Sequence, residues 1–104
     1  MSIGNTISNL RKEKKIKQMD LAKISGISQT YLSQIEKGVK TPTIDILEKI
    51  SFALGIPYPV LSFLSIDKND ISDDKKEAFS KFEPVISSII KEIFFSNPTV
   101  HIQL

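Results

Sequence analysis

The side chains best suited to directed hydrogen bonding lie close together in one short segment. Gln29, Thr30, Ser33 and Gln34 fall on one face of a predicted helix, and Lys37 follows them on the same face. A glutamine amide can bond N6 and N7 of an adenine together, and threonine offers a hydroxyl and a methyl group. Because the major groove of DNA admits an α-helix, this segment is equipped to read base edges.

Residues that catalyse reactions or bind metals are few. His101 is the single histidine and there is no cysteine, so we expect this histidine to be a surface or strand residue. Four aspartates lie close together but lack the glycine and closing glutamate of a calcium-binding loop. We therefore interpret them as part of a solvated linker and a helix N-terminus. These are Asp67, Asp70, Asp73 and Asp74. There is no phosphate-binding glycine loop either, and we predict no catalytic residue, metal or cofactor.

Charge is divided unevenly along the 104 residues. Residues 1–57 carry nine basic and five acidic side chains, a net of +4, whereas residues 58–104 carry five and seven, a net of −2. Affinity for a polyanion is therefore expected in the N-terminal half. No segment approaches the ~20 apolar residues of a membrane span, and with no cysteine present we expect a cytoplasmic protein without membrane contact.

Apolar residues recur at helical spacing through most of the chain. They predict helices over residues 2–15, 18–25 and 29–37, with Gly26 ending the second and Ser28 capping the third. A fourth helix begins after Thr43 and ends at Gly55, and a short fifth helix begins at Tyr58 with Pro59 in its first turn. The side chains expected to face inward on the second, third and fifth helices are Leu21, Ala22, Ile24, Leu32, Ile35, Leu61 and Leu64.

The remainder of the chain reads as a linker and a further helical region. Residues 67–74 are polar, and residues 73–96 are helical in pattern. Pro84 falls inside this region and is expected to end one helix and begin another, or to kink the helix. Val100, Ile102 and Leu104 alternate with polar residues, which predicts a short terminal strand.

The segment from Gln18 to Gly38, QMDLAKISGISQTYLSQIEKG, resembles the phage-repressor/Cro (XRE-like) helix-turn-helix family position by position. Pro42-Thr43 and Leu54-Gly55-Ile56 match the boundaries of that family's fourth helix. The resemblance covers residues 3–66. It implies an all-α fold, in which a five-helix lambda-repressor-like DNA-binding domain occupies residues 1–66 and a linker with C-terminal oligomerisation helices occupies residues 67–104.

The resemblance also implies roles for individual residues. In the family, the acid at the position of Glu36 pairs with a basic residue on the first helix, here Arg11. Base reading is expected from Gln29, Thr30, Ser33 and Gln34. Phosphate contacts are expected from Lys17, Gln18, Tyr31, Lys37, Lys40 and Thr41. Lys17 departs from the threonine that family members usually carry, which replaces a capping side chain with a cation.

An apolar stripe marks the C-terminal helical region. Its members recur at a spacing of three and four residues, so they share one helix face that must be buried. This face either folds back on the N-terminal domain or forms a symmetric dimer interface, and the second is favoured because five helices already complete the family core. The residues of the expected interface are Phe82, Val85, Ile86, Ile89, Ile90, Ile93 and Phe94.

The function implied is that of a sequence-specific transcriptional regulator of bacterial or phage type, a repressor or autoregulator that binds a palindromic operator as a homodimer. An antitoxin and a controller of a restriction–modification system are related alternatives, and a protein-interaction module without DNA binding is an alternative of another class. The retained glutamines and the basic surplus argue against the last. No effector molecule is indicated.

Overall fold

The computed structural model describes residues 2–95, and these residues form helices and no strand. The helices are α1 (Ile3–Glu13), α2 (Gln18–Ser25), α3 (Gln29–Glu36), α4 (Ile44–Leu54), α5 (Tyr58–Leu64) and α6 (Lys76–Phe95). Two 3₁₀ turns, Lys68–Asp70 and Asp73–Lys75, precede α6. The chain divides into two compact units, Met1–Asp67 and Lys68–Leu104. The all-α fold class is confirmed, and the predicted terminal strand lies outside the described residues.

Local signals set the helix ends in the first unit. The side-chain oxygens of Ser2, Ser28 and Thr43 accept hydrogen bonds from backbone N–H groups in the first turns of α1, α3 and α4, at 3.2, 3.0 and 3.3 Å. Such caps satisfy N–H groups that have no partner within the helix. Lys37 lies just beyond the end of α3 rather than within it. The five predicted helices of this unit are confirmed, with α1 two residues shorter at its C-terminal end than expected.

The core of the first unit is built from apolar side chains of α1–α5 and Ile56. Burial of these side chains is the main favourable contribution to folding. The buried apolar residues are Ile7, Leu10, Leu21, Ala22, Leu32, Ile35, Leu47, Ile50, Leu54, Ile56 and Leu61. No single helix within residues 2–95 is long and apolar enough to span a membrane; α4 and α5 reach that hydropathy only together, as a pair bent by 97°.

Two inward positions were predicted wrongly. Ile24 is exposed, because the buried side of α2 is formed by Leu21, Ala22 and Ser25 and Ile24 lies roughly 100° around the helix from its centre. Leu64 is only half-buried, at the last residue of α5.

The second unit contains α6 and the two 3₁₀ turns that contact it. The predicted linker is therefore partly structured. Pro84 lies inside α6 and does not divide it, so the expected break is wrong, while the alternative of a kink stays a prediction. A proline in a helix interior removes one backbone hydrogen bond, which the remaining turns of this 20-residue helix tolerate. None of the residues of α6 is fully buried.

Candidate nucleic-acid interface

The turn between α2 and α3 brings two short helices together in a tight angle. Gly26 has a φ of +72°, in the left-handed region that favours glycine. The N–H of Ile27 then donates to the carbonyl of Ala22 at 3.0 Å, and Ser28 caps α3. Leu32 and Ile35 are buried on one side of α3, which leaves its opposite side exposed at the surface.

The seating of α3 against α1 depends on Gly4. A Cβ atom added to Gly4 would lie 1.9 Å from the carbonyl oxygen of Ile35, which is far inside contact distance. The two helices therefore approach more closely than any other residue at position 4 would permit. Sequence reasoning missed this residue, although glycine in a helix costs about 1 kcal/mol relative to alanine and so calls for a packing explanation.

A partly buried ion pair joins α1 to the end of α3. Arg11 donates from Nε to Oε2 of Glu36 at 2.8 Å and from Nη2 to Oε1 at 3.1 Å, in the two-bonded geometry that suits a guanidinium and a carboxylate. The Nη1 group of Arg11 also donates to the carbonyl of Ile16 at 2.9 Å. The pairing expected from the family resemblance is confirmed, and it ties the loop after α1 to the end of α3.

The same carboxylate begins a chain of side-chain hydrogen bonds that reaches the first residue of α3. Gln18 donates from Nε2 to Oε1 of Glu36 at 3.1 Å, and Gln29 donates from Nε2 to Oε1 of Gln18 at 3.4 Å. Gln29 uses one of its two N–H donors in this bond, so the amide keeps a second donor and its carbonyl oxygen for another partner. Gln18, expected to contact phosphate, therefore also orients Gln29.

The exposed side of α3 forms an open cleft with the start of α2 and the loop that follows α3. Gln29, Thr30 and Lys37 are exposed, whereas Ser33 and Gln34 are half-buried. Thus all four expected base-reading residues lie together at one surface. The cleft is lined by Gln18, Gln29, Thr30, Ser33, Gln34, Lys37 and Val39.

Val39 is a member of this surface that sequence reasoning did not identify. It is exposed, and its backbone N–H donates to the carbonyl of Gln34 at 2.8 Å, as does that of Lys40 at 3.2 Å. These bonds hold the loop against the end of α3. An apolar residue directly after Gly38, in an otherwise polar loop, was the available signal.

The expected phosphate-contacting residues are more dispersed. Lys17, Lys40 and Thr41 are exposed and Tyr31 is half-buried, and none of the four is among the residues that line the cleft. Lys17 stands at the N-cap of α2 without a capping side-chain bond, as its replacement of threonine predicted. Partial burial lowers the pKa of the Lys14 ammonium, which lies at the end of α1 and also outside the cleft lining.

The sequence of this chain is similar to those of several known proteins. The sequence pattern of the helix-turn-helix family matches residues 7–61. The immunity repressor protein of Bacillus phage phi105 is 33% identical over 93 residues, which cover 89% of this chain and 62% of the repressor. The chain thus spans less than two thirds of that relative. A match of this length leaves only 11 of the 104 residues unmatched and so includes much of α6.

Two further relatives match shorter parts of the chain. The ImmF control region 10 kDa protein of the same phage is 39% identical over 64 residues, covering 62% of this chain and 71% of that protein. The transcriptional regulator SinR of Bacillus subtilis is 42% identical over 60 residues, covering 57% of this chain and 54% of SinR. The family match over residues 7–61 includes both α2 and α3.

Proposed function

The chain belongs to the helix-turn-helix family, a family of DNA-binding transcriptional regulators, and on that premise we propose that it is a repressor that reads an operator with α3 and binds it as a homodimer. The name of the phi105 relative, an immunity repressor, supports repression over activation. One observation carries the proposal: the hydrogen-bonded series Arg11–Glu36–Gln18–Gln29 ends at the exposed start of α3.

This series supports base reading because it holds a glutamine in one orientation before DNA is bound. Recognition helices contact bases chiefly through their N-terminal residues, where Gln29 and Thr30 lie. An amide whose position is already fixed loses less conformational entropy on binding than a freely rotating one. Gln29 and Gln34 would each bond a base edge, with Thr30 and Ser33 contributing hydroxyl groups.

Phosphate binding would come from the margins of the same surface. The N-terminus of α2 has backbone N–H groups without a side-chain cap, and the helix dipole favours an anion there. Lys17 adds a positive charge at this position, and Lys37, Lys40, Thr41 and Tyr31 would contact the backbone near α3. If each half-site neutralises about four phosphates, the logarithm of the binding constant should fall with the logarithm of salt concentration with a slope near −7.

Dimerisation through α6 would supply the second half-site. A single recognition helix reads few base pairs, and helix-turn-helix proteins gain specificity by binding two half-sites about one helical turn apart. Phe82, Val85, Ile89 and Ile93 are exposed on α6, while Ile86, Ile90 and Phe94 are half-buried. The exposed four provide an apolar face of the kind that a partner covers.

Selection of bound sequences from a random DNA pool tests the proposal directly. We expect a palindromic motif, and we expect Gln29→Ala and Gln34→Ala each to cost ~1–3 kcal/mol and to relax preference at defined positions of that motif. Gln103→Ala, which removes a glutamine outside the domain, is the matched control and should leave the motif unchanged. A uniform loss of affinity for all sequences would contradict base reading, and failure to select any motif would contradict the function.

A further inference from the structure

The apolar face of α6 has a defined length and centre. Phe82, Val85, Ile89 and Ile93 are between 48% and 66% exposed and follow one another at three- and four-residue spacing. From Phe82 to Ile93 the face runs roughly 16 Å along the helix. Its midpoint falls between Ser87 and Ser88.

Two opposite charges stand on one edge of this face. Lys81 and Glu92 are separated by just over three full helical turns, so they project within roughly 20° of each other around the helix axis. Both residues are exposed, and Nζ of Lys81 lies 3.5 Å from Oε1 of Glu77 in a solvated pair of the kind that contributes little. The midpoint between the two charges falls between Ile86 and Ser87, roughly 1.5 Å from the midpoint of the apolar face.

Because the two midpoints nearly coincide, antiparallel and parallel pairing of two α6 helices place these charges differently. In an antiparallel pair, a two-fold axis normal to the plane of the two helices places like edges together and reverses the residue order. Lys81 then lies level with the partner's Glu92, Glu92 lies level with the partner's Lys81, and Phe82 packs near the partner's Ile93. Each charge then faces an opposite charge of the partner, while the two apolar faces stay in register.

A parallel pair does not place both charges level with an opposite charge of the partner helix. Each residue lies level with its own copy, and the edge that carries Lys81 and Glu92 meets the opposite edge of the partner. Lys81 could reach the partner's Glu83, which already accepts from Oγ of Ser87 at 3.2 Å. Within α6, the cation nearest to that opposite edge is Lys76, roughly 24 Å along the axis from the level of Glu92.

We propose that α6 pairs antiparallel with α6 of a second copy, with the two-fold axis near residues 86–88 and reciprocal Lys81–Glu92 contacts. The proposal rests on the dimeric repressor inferred above and adds the orientation and register of its interface. As in any two-fold symmetric dimer, a single axis relates the two chains, which fits one palindromic site per dimer.

Cysteine cross-linking of the full chain tests the orientation, since the sequence contains no cysteine of its own. Phe82→Cys and Ile93→Cys proteins are mixed in equal amounts and oxidised under mild conditions, and the disulfide-linked products are identified by mass spectrometry. We expect the mixed 82–93 disulfide to predominate over both homotypic products. Phe52→Cys, an exposed phenylalanine on the first unit, controls for collisional cross-linking. Predominant 82–82 and 93–93 products would overturn the antiparallel arrangement and leave the dimer intact.

Charge exchange tests the register by sedimentation of the same full-length chain. Lys81→Glu and Glu92→Lys should each weaken self-association roughly threefold to tenfold, and the double variant should regain the original association constant. Circular dichroism checks that each variant keeps its helix content. A double variant as weak as the single ones would overturn the reciprocal contacts. If the unmodified chain sediments as a monomer up to high concentration, the dimeric repressor itself fails.

Discussion

The two units of this chain use apolar side chains in opposite ways. In the first unit, eleven apolar residues are buried and form a core to which α1–α5 all contribute. In the described part of the second unit no residue is fully buried, and four large apolar side chains of α6 are exposed. The first unit therefore carries its own stabilisation, whereas a helix such as α6 needs packing against another surface, because isolated helices in water are marginal.

Polar contacts differ between the units in the same sense. The ion pair of Arg11 and Glu36 joins residues 25 positions apart and is largely shielded from solvent. Two ion pairs of the second unit, Lys76–Asp73 and Lys81–Glu77, join residues three and four positions apart at the surface. In the first unit, a shielded tertiary ion pair therefore links α1 to the end of α3, whereas these two pairs of the second unit are local. The surface proposed to read DNA therefore lies wholly in the first unit, whereas the apolar face of α6 is exposed within the described residues.

The largest effect is expected from breaking the shielded ion pair. Glu36→Ala leaves the guanidinium of Arg11 without its carboxylate and Gln18 without its acceptor, so we expect a loss of about 3 kcal/mol in the free energy of unfolding. Operator affinity should fall as well, because Gln29 is then no longer held through Gln18. Urea unfolding and a binding titration measure the two losses.

The matched control for this change is Asp45→Ala. It removes the carboxylate of an exposed pair on α4, in which Nζ of Lys49 lies 3.5 Å from Oδ2 of Asp45. Such pairs contribute about 0–1 kcal/mol, so this variant should unfold close to the unmodified chain. Equal losses in the two variants would show that the shielding of Glu36 does not matter.

The second largest effect is expected when the second unit is deleted. Deletion of residues 68–104 should leave a folded first unit, because the eleven buried apolar residues among those described all lie between Ile7 and Leu61. Its operator affinity should fall roughly 100-fold, since two linked half-site contacts become one. Thermal unfolding and sedimentation give the fold and the association state. A truncated chain that still sediments as a dimer would place the interface in the first unit and contradict the assignment of dimerisation to the second.

Sequence reasoning succeeded where signals are local. Ser28, Thr43 and Gly55 mark helix ends through caps and a left-handed residue, and the structure places helix ends there. It failed for Ile24, whose burial depends on where α4 crosses α2, and for Pro84, where one lost backbone bond was expected to break a long helix.

Among the polar contacts, too, sequence reasoning identified what the family resemblance implies and missed what depends on the angle between two helices. The Arg11–Glu36 pair was inferred from the family, yet the bond from Gln29 to Gln18 was not, because it arises only when two helices meet at the observed angle. The surface that covers the α6 face is not given by the spacing of its residues, so the dimer interface stays a prediction. Spacing along the sequence shows that the face is apolar but not which surface covers it.

The smallest of the three effects concerns the contact that seats the reading helix. Gly4→Ala places a methyl group where the carbonyl oxygen of Ile35 stands, and a backbone atom cannot move aside as a flexible side chain would. We expect α1 and α3 to separate slightly at a cost of about 2 kcal/mol, even though alanine favours helix more than glycine does. The neighbouring exposed Asn5→Ala is the control, and it should change the free energy of unfolding by no more than about 0.5 kcal/mol. Because α3 carries Gln29 and Gln34, the Gly4 variant should also bind its operator less tightly than its stability alone requires, measured well below its unfolding temperature. A Gly4→Ala protein as stable as the Asn5 variant would mean that α1 and α3 lie farther apart in solution, and that the rigidity of the reading surface comes from the ion pair alone.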